Sequence, residues 1–325
     1  MTERILITGI GGMVGSHMTD FYVAKGIRPI GIYFNSTIPL SEIQGKAELI
    51  ECDVRDALRI LKIIAHHRPS KIFHLAAQSF PTVSWDRPSE TLDINLNGTV
   101  NVCEAVKFVR ASTPEYNPTI VVACSSAEYG ASLTPERTPI QEDAPLLPLH
   151  PYGVSKVGQD LLAYQYHQGD KLRTIRARIF NTTGPRKTGD AASDFTRRAV
   201  EVELGKETVL RVGNLTTRRA LTDVRDLVRA LLLLADKGES GEVYNISGAK
   251  TYTMQEVIDL IIQLTNVPLI IQQDQNLLRP TDEPVIFGDS SKLKKCTGWE
   301  QQYTLQETLS DMMAWWRGRM TGKTL

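Results

Sequence analysis

The fold of this chain is decided by the stretch Arg4-Ile5-Leu6-Ile7-Thr8-Gly9-Ile10-Gly11-Gly12-Met13-Val14-Gly15. The apolar run that ends at Ile7 predicts a short buried strand, and the residues after Gly15 predict a helix. In the turn between them, Gly9 makes the bend and Gly12 lets a phosphate group approach the backbone N–H groups. Gly15 lets the helix pack on the sheet. Strand, glycine turn and helix in this order predict a dinucleotide-binding α/β fold.

Further apolar runs predict more strands of the same sheet, from Arg28 to Phe34, Glu48 to Cys52, Lys71 to Leu75, Pro118 to Cys124 and Leu172 to Ile179. We therefore predict a Rossmann-type, doubly wound parallel sheet followed by a smaller C-terminal α/β lobe. The predicted boundary lies near residue 180. Residues 1–180 would form the dinucleotide-binding domain and residues 181–325 the substrate lobe, with segments that cross between the two.

Residues that follow the strands are the candidates for cofactor binding, because ligands bind at the carboxyl ends of parallel strands. The second strand ends in Phe34-Asn35-Ser36, with neither an acid for a ribose hydroxyl nor an arginine for a phosphate. The cofactor is therefore NADP or NAD, with a slight preference for NADP. Asp53 can meet the adenine, cap a helix predicted from Arg55 to His66, or do both. The candidates are Gly9, Gly12, Met13, Val14, Asn35, Ser36, Asp53, Val54, Leu75, Ala76, Ala77, Tyr152 and Lys156.

Tyr152 and Lys156 are four residues apart, so on a helix they lie on one face, one turn apart. A nearby ammonium lowers the pKa of a phenol, so the pair can serve as an acid and base for an alcohol–ketone couple. Ser125 ends the fifth predicted strand and can donate a hydrogen bond to a carbonyl oxygen or to Tyr152. These three residues are the catalytic candidates. His74, inside a predicted strand, is interpreted as a packed residue rather than a base.

The glycine turn together with Ser125, Tyr152 and Lys156 resembles the short-chain dehydrogenase/reductase family, in its extended branch that acts on nucleotide sugars. The resemblance covers nearly the whole chain. Within the branch, the chain is most similar to the group that contains GDP-mannose 4,6-dehydratase and GDP-4-dehydro-6-deoxy-mannose reductase. The motifs that carry this likeness begin at Leu75, Asp93, Arg178, Arg219 and Arg279.

The resemblance implies NAD(P)H-dependent reduction of the C4 ketone of a nucleotide-linked 4-keto-6-deoxy-hexose, with GDP as the expected nucleotide. Dehydratases of this group resemble one another in a glutamate three residues before the glycine of the loop that begins at Ser125. In this chain that glycine is Gly130. Ala127 occupies that position here, and the next residue, Glu128, is expected to point elsewhere. A reductase is therefore favoured. An epimerase with tightly held NAD is the alternative, and a GDP-mannose 4,6-dehydratase is less favoured.

The resemblance also implies a set of substrate-binding residues. Arginine suits a pyrophosphate because its planar fork binds oxygens in pairs. The candidates are Gln78, Ser126, Asn181, Arg198, Val209, Arg219 and Arg279. A homodimer is implied as well, through the helices near Asn95 and Tyr152.

Composition excludes several other classes. Lys plus Arg and Asp plus Glu both number 37, so a polybasic surface for nucleic acid or membrane is not expected. The four cysteines lack CxxC or zinc-ligand spacing, which favours a reducing compartment and argues against a disulfide framework or a metal site. We find no signal peptide and no apolar run near the ~18 residues of a membrane span. The predicted location is the cytoplasm.

Overall fold

The computed structural model describes residues 3–277 and 283–322. Arg279, predicted to bind substrate, lies outside these residues. The helices are α1 (Met13–Ala24), α2 (Ala57–His67), α3 (Pro81–Asp86), α4 (Pro88–Leu92), α5 (Gly98–Ser112), α6 (Pro151–Asp170), α7 (Ala191–Glu203), α8 (Val224–Lys237), α9 (Met254–Leu264), α10 (Ser291–Thr297) and α11 (Leu305–Thr321). None of these helices is both long enough and apolar enough to cross a membrane.

The strands are β1 (Ile5–Thr8), β2 (Ile30–Tyr33), β3 (Glu48–Glu51), β4 (Lys71–His74), β5 (Thr119–Ser125), β6 (Arg173–Ile179), β7 (Thr182–Thr183), β8 (Leu210–Val212), β9 (Arg218–Ala220), β10 (Thr222–Asp223), β11 (Val243–Ile246), β12 (Thr251–Thr253), β13 (Ile271–Gln273) and β14 (Val285–Ile286). Seven of them form one sheet in the order β11-β6-β5-β4-β1-β2-β3. Every pair of neighbours in this sheet is parallel. The predicted Rossmann-type fold is confirmed.

Alternating side chains of the buried strands build a separate core on each face of the sheet. Ile5 and Ile7 of β1 join the core under α1 and α8, whereas Leu6 joins the core under α2 and α5. Both faces are covered by helices, which explains why the strands are apolar at successive positions. Ligands of such sheets bind at the carboxyl edge.

The turn after β1 requires glycine for steric reasons. Gly9 has φ +75°, and a Cβ added there would lie 2.7 Å from the backbone N of Ala76. A Cβ at Gly15 would lie 2.6 Å from the carbonyl oxygen of Gly9. The turn therefore passes directly over the end of β4, and α1 packs closely on the turn.

The start of α2 differs from the prediction. The helix begins at Ala57, and its N-cap is Asp56, whose side chain accepts a hydrogen bond from the backbone N of Arg59 (3.0 Å). The prediction that Asp53 caps this helix is wrong. Its carboxylate accepts the Nη2–H of Arg55 (2.6 Å) and is therefore not available to the helix.

The chain returns to the central sheet after residue 180, because β11 pairs with β6 at the sheet's edge. A third core, away from this sheet, joins α7, α9 and α11 and contains Phe195, Ile258, Leu309 and Met313. The boundary near residue 180 stays a prediction.

Candidate active site

Helix α6 carries two of the predicted catalytic residues on one face. Pro151 occupies its first turn, and the ring of His150 accepts the backbone N–H of Gly153 (3.0 Å), so the helix start is well determined. Tyr152 and Lys156 are both buried. The Nζ of Lys156 lies 5.7 Å from the centroid of the Tyr152 ring.

The Lys156 ammonium does not point at the phenol. It donates to the carbonyl oxygen of Ala123 (2.8 Å) and to the Oε1 of Gln159 (2.6 Å). Burial raises the pKa of Tyr152 to about 12, and the hydrogen bond with Ser125 opposes that rise. The expectation that Lys156 lowers this pKa is corrected: the group that lowers it is Ser125, and the protonated phenol is favoured at neutral pH.

The Lys156 ammonium should titrate near pH 8 in the ligand-free protein, because burial lowers its pKa to about 8. The folded chain then binds fewer protons than the unfolded chain between this value and about 10.4, the ordinary lysine pKa. The stability contributed by Lys156 is present above the unfolded pKa and is lost as pH falls through the folded pKa. NMR titration of the lysine ε-carbons, assigned with Lys156→Met, measures the midpoint. An ordinary midpoint would contradict the burial argument.

Ser125 ends β5 and starts a short turn that reciprocal hydrogen bonds close. The Oγ of Ser125 accepts the backbone N–H of Ala127 (3.2 Å), and the Oε1 of Glu128 accepts the backbone N–H of Ser125 (2.8 Å). Glu128 is fully buried, and its Oε2 lies 3.1 Å from the Nε of Arg178. The Glu128 carboxylate is therefore held in the interior by the Ser125 backbone and Arg178. The position of the dehydratase glutamate holds the methyl group of Ala127.

A buried group of charged residues, which sequence reasoning missed, lies beneath this turn. The Nε of Arg178 donates to the Oδ2 of Asp160 (2.9 Å), and the Nη1 of Arg176 donates to the Oδ1 (2.7 Å). Burial and the nearby Asp160 raise the pKa of Glu128 well above its ordinary value, and Arg178 acts in the opposite direction. The available signal was the pair of arginines two residues apart on β6, which must share one face of the sheet.

Metal-ligand atoms lie within 4.8 Å of one another on three buried side chains, Cys124, Glu128 and Asp160. The Arg178 guanidinium already pairs with both carboxylates of the group. It supplies the positive charge that a metal ion would otherwise bring.

Apart from Tyr152 and Lys156 on α6, the predicted cofactor residues lie along the carboxyl ends of four neighbouring strands, β4, β1, β2 and β3. The structure brings the loops together: Gly9 lies against Ala76, and a Cβ at Gly11 would lie 2.5 Å from the Oγ of Ser36. No side chain caps the first turn of α1, which begins with Met13 and Val14. An uncapped helix start and a turn with no room for a Cβ at Gly9, Gly11 or Gly15 fit a dinucleotide pyrophosphate. The other members follow the same strands: Gly12, Asn35, Val54, Leu75 and Ala77.

Two of these residues already have protein partners. The hydroxyl of Ser36 donates to the carbonyl oxygens of Gly11 (2.8 Å) and Ile38 (2.7 Å). The hydrogen bonds from Arg55 lower the pKa of the Asp53 carboxyl. Asp53 therefore stays ionised and is held by Arg55, so a contact with adenine would have to share it.

Among the predicted substrate residues, Asn181 is the most informative. It follows β6, and its Oδ1 is buried without a hydrogen-bond partner in the structure. A buried carbonyl oxygen without a partner is costly, so this atom is available to a ligand hydroxyl.

The remaining substrate candidates have contacts of their own. Gln78 is held through its backbone by Asn95, whose Oδ1 accepts the N–H of Gln78 (2.8 Å). Ser126 is buried in the serine turn. Arg198 donates to the carbonyl oxygen of Arg211 (3.1 Å) in β8, the strand that Val209 precedes. Arg219 lies on a different sheet, in β9, and donates to the carbonyl oxygen of Glu283 (2.9 Å).

The fold and this arrangement define an enzyme of the extended short-chain dehydrogenase/reductase class. A model of the family described as GDP-mannose 4,6 dehydratase matches residues 6–312. The chain therefore belongs to the GDP-mannose 4,6-dehydratase family.

The similar proteins include a reductase and a dehydratase, two of the three activities considered above. GDP-6-deoxy-D-mannose reductase of Pseudomonas aeruginosa is 28% identical over 98% of this chain and 99% of its own. GDP-mannose 4,6-dehydratase of Yersinia enterocolitica is 25% identical over 96% of this chain and 93% of its own.

Two solved structures also match nearly the whole chain. RMD from Pseudomonas aeruginosa, complexed with NADPH, matches with a TM-score of 0.84 and 26% identity, over 98% of this chain and all of that chain. UDP-glucose 4-epimerase of Thermotoga maritima, with UDP-glucose, matches with a TM-score of 0.87 and 25% identity, over 98% of this chain and 99% of that chain.

Proposed function

We propose that this protein reduces the C4 ketone of a GDP-linked 4-keto-6-deoxy-hexose, such as GDP-4-dehydro-6-deoxy-D-mannose, to the GDP-deoxyhexose. The observation that carries the proposal is the serine turn. Ala127 stands where dehydratases of this group carry their glutamate, and Glu128 is fully buried against Arg178. Without a carboxylate at position 127, the elimination of water lacks its base. Reduction of a ketone needs no such base.

The chemistry divides between the cofactor and three side chains. NADPH or NADH supplies the hydride when bound. Tyr152 releases its proton to the C4 oxygen as negative charge builds there, and the Ser125 hydroxyl donates a hydrogen bond to that oxygen. A Tyr152 pKa of about 12 keeps the phenol protonated at neutral pH, as a proton donor must be. Lys156 would bind the nicotinamide ribose.

The remaining predicted residues would hold the two ligands. The cofactor, NADP or NAD, would lie along Gly9, Gly12 and the start of α1. The end of β2 carries neither an acid nor an arginine, so NADP is favoured only slightly. Asn181 would accept a hydrogen bond from a sugar hydroxyl with its unpartnered Oδ1. Arg198, Arg219 and Arg279 would bind the pyrophosphate, and Gln78, Ser126 and Val209 would line the sugar and base.

The test supplies GDP-4-keto-6-deoxy-mannose, made by a separate dehydratase, together with NADPH or NADH in parallel. We expect absorbance at 340 nm to fall and a GDP-deoxyhexose to appear by NMR, with Tyr152→Phe as the matched inactive control. Three arms separate the alternatives. Consumption of GDP-mannose without reduction would indicate a dehydratase. Co-purified NAD with no net cofactor use would indicate an epimerase. No change with any keto-sugar would refute the proposal.

We also propose a cytoplasmic homodimer. The four cysteines are all free, which fits a reducing compartment. Val154 and Leu161, two turns apart on α6, are 49% and 52% exposed, and Phe108 on α5 is 65% exposed. An apolar face on a pair of packed helices is suited to cover by a second copy of the chain.

Leu161→Glu should dissociate this dimer, because it places an unpaired charge in an apolar interface. We expect dimer affinity to fall at least about 100-fold, so that the mass at micromolar concentration changes from two chains to one. Analytical ultracentrifugation measures the mass. Ile262→Glu, at a residue 40% exposed on α9, is the control and should leave the dimer intact. A monomeric wild type would exclude the dimer.

A further inference from the structure

A chain of buried hydrogen bonds joins the Lys156 ammonium to the end of β1. Lys156 donates to the Oε1 of Gln159 (2.6 Å), and the Nε2 of Gln159 donates to the Oγ1 of Thr99 (2.7 Å). The ring of His74 follows, with its Nε2 3.1 Å from the Oγ1 of Thr99 and its Nδ1 2.9 Å from the Oγ1 of Thr8. All five side chains are buried.

The direction of each hydrogen bond follows from the donors available. Thr99 donates its one hydroxyl hydrogen to the carbonyl oxygen of Asn95 (2.8 Å), so it must accept from the Nε2–H of His74. Burial lowers the pKa of His74 to about 3, so the ring is neutral and its Nδ1 is an acceptor. Thr8 therefore donates to Nδ1, and its oxygen accepts the backbone N–H of Ala76 (3.2 Å). Each side-chain nitrogen and oxygen atom along this series of hydrogen bonds has at least one partner.

These donor and acceptor assignments exclude proton transfer along the series of hydrogen bonds. The Oε1 of Gln159 faces the ammonium, and its amide cannot pass a proton onward without losing that arrangement. The chain instead holds Lys156 in place. Two of the three ammonium N–H groups are donated to Ala123 and Gln159, which leaves one for a ligand. The far end of the chain, Thr8 and Ala76, borders the tight turn at Gly9.

We propose that Gln159 and Thr99 are positioning residues, which act through Lys156 and hold its ammonium so that the remaining N–H group is available to a ligand. The inference rests on the proposed function in one respect, since a ligand for that N–H group is the nicotinamide ribose assigned above. The helical stretch before Thr99 supports it: Asp93–Asn97 has π-helical hydrogen bonding, which is frequent at functional sites. Within it, the Nδ2 of Asn95 donates to Ser155 on α6 (2.8 Å).

The test compares Thr99→Val, which keeps the shape but removes the hydroxyl, with Thr99→Ser, which keeps the hydroxyl. We expect Thr99→Val to weaken NADPH binding and to lower kcat by about tenfold each, because both His74 and Gln159 lose their acceptor. Thr99→Ser should stay within about twofold of wild type. Gln159→Met, which removes the acceptor next to Lys156, should weaken NADPH binding and lower kcat to the same extent. It therefore provides a second test if Thr99→Val folds poorly.

Nitrogen-15 NMR of His74 in the ligand-free protein gives a readout that does not depend on turnover. We expect a neutral ring with its proton on Nε2, and a changed Nε2–H signal in Thr99→Val only. A proton on Nδ1 would overturn the proposal. So would a Thr99→Val variant with a lower melting temperature but wild-type NADPH affinity. If the wild type binds NADPH but reduces no keto-sugar, the proposed function fails while NADPH affinity and the His74 spectrum still decide this inference.

Discussion

Tyr152→Phe should lower turnover by about 10³-fold, within the range that a general acid contributes. The variant keeps the ring that packs in the site and loses only the hydroxyl that donates the proton. Cofactor binding should be nearly unchanged, because the Lys156 ammonium is held by Ala123 and Gln159 rather than by the phenol. The measurement is single-turnover oxidation of NADPH with saturating keto-sugar.

Tyr164→Phe provides the matched control for this change. Tyr164 lies on the same helix, but its side chain is 43% exposed and takes no part in the site. We expect it to turn over like wild type. A Tyr152→Phe variant with near-normal turnover would remove Tyr152 from the mechanism and leave the proton to another donor.

Arg178→Met should destabilise the fold by about 3–5 kcal/mol, the cost of leaving buried charge without its partner. The guanidinium pairs with Glu128 and Asp160, both of which are fully buried. Its loss leaves the two carboxylates close together, with Arg176 still paired to Asp160 and Glu128 without the guanidinium that pairs with it. Urea unfolding measures the change. Arg173→Met, at an exposed position of the same strand, should have little effect.

The cost of Arg178→Met should grow as pH rises. Burial and the nearby Asp160 raise the folded-state pKa of Glu128 well above its unfolded value of about 4, and loss of the guanidinium removes the charge that opposes this rise. A group with a raised folded pKa contributes stability that is lost as pH rises through that folded pKa. The variant should therefore be closer to wild type at pH 5 than at pH 8, and adding Glu128→Gln should restore part of the loss. An equal cost at both pH values would contradict the ion-pair interpretation.

The catalytic helix shows where a local pattern was sufficient and where it was not. The four-residue spacing of Tyr152 and Lys156 places both side chains on one face in any helix. Which atoms the ammonium meets depends on Ala123 from β5 and on how Gln159 is held by Thr99, a residue about 60 positions away in the chain. The electrostatic effect of Lys156 on Tyr152 was therefore predicted incorrectly.

Arg176 and Arg178 give the opposite case. Their alternation on β6 was visible, but charged residues usually lie in solvent, and only the packing of α6 against β6 supplies Asp160 as a buried partner. Asp53 also needed the tertiary structure. Its carboxylate pairs with Arg55 instead of capping the helix that the sequence predicted after it.

The sequence by itself determined the Rossmann-type sheet, the glycine turn and the candidate Ser125–Tyr152–Lys156 set, because strand periodicity, tight turns and helical spacing are local properties. The tertiary structure alone decided which carboxylates meet Arg178 and how His74 connects Thr8 to Lys156 through Thr99 and Gln159. Burial and hydrogen-bond partners come from residues distant in the chain, and these set the charge and orientation of each group in the site.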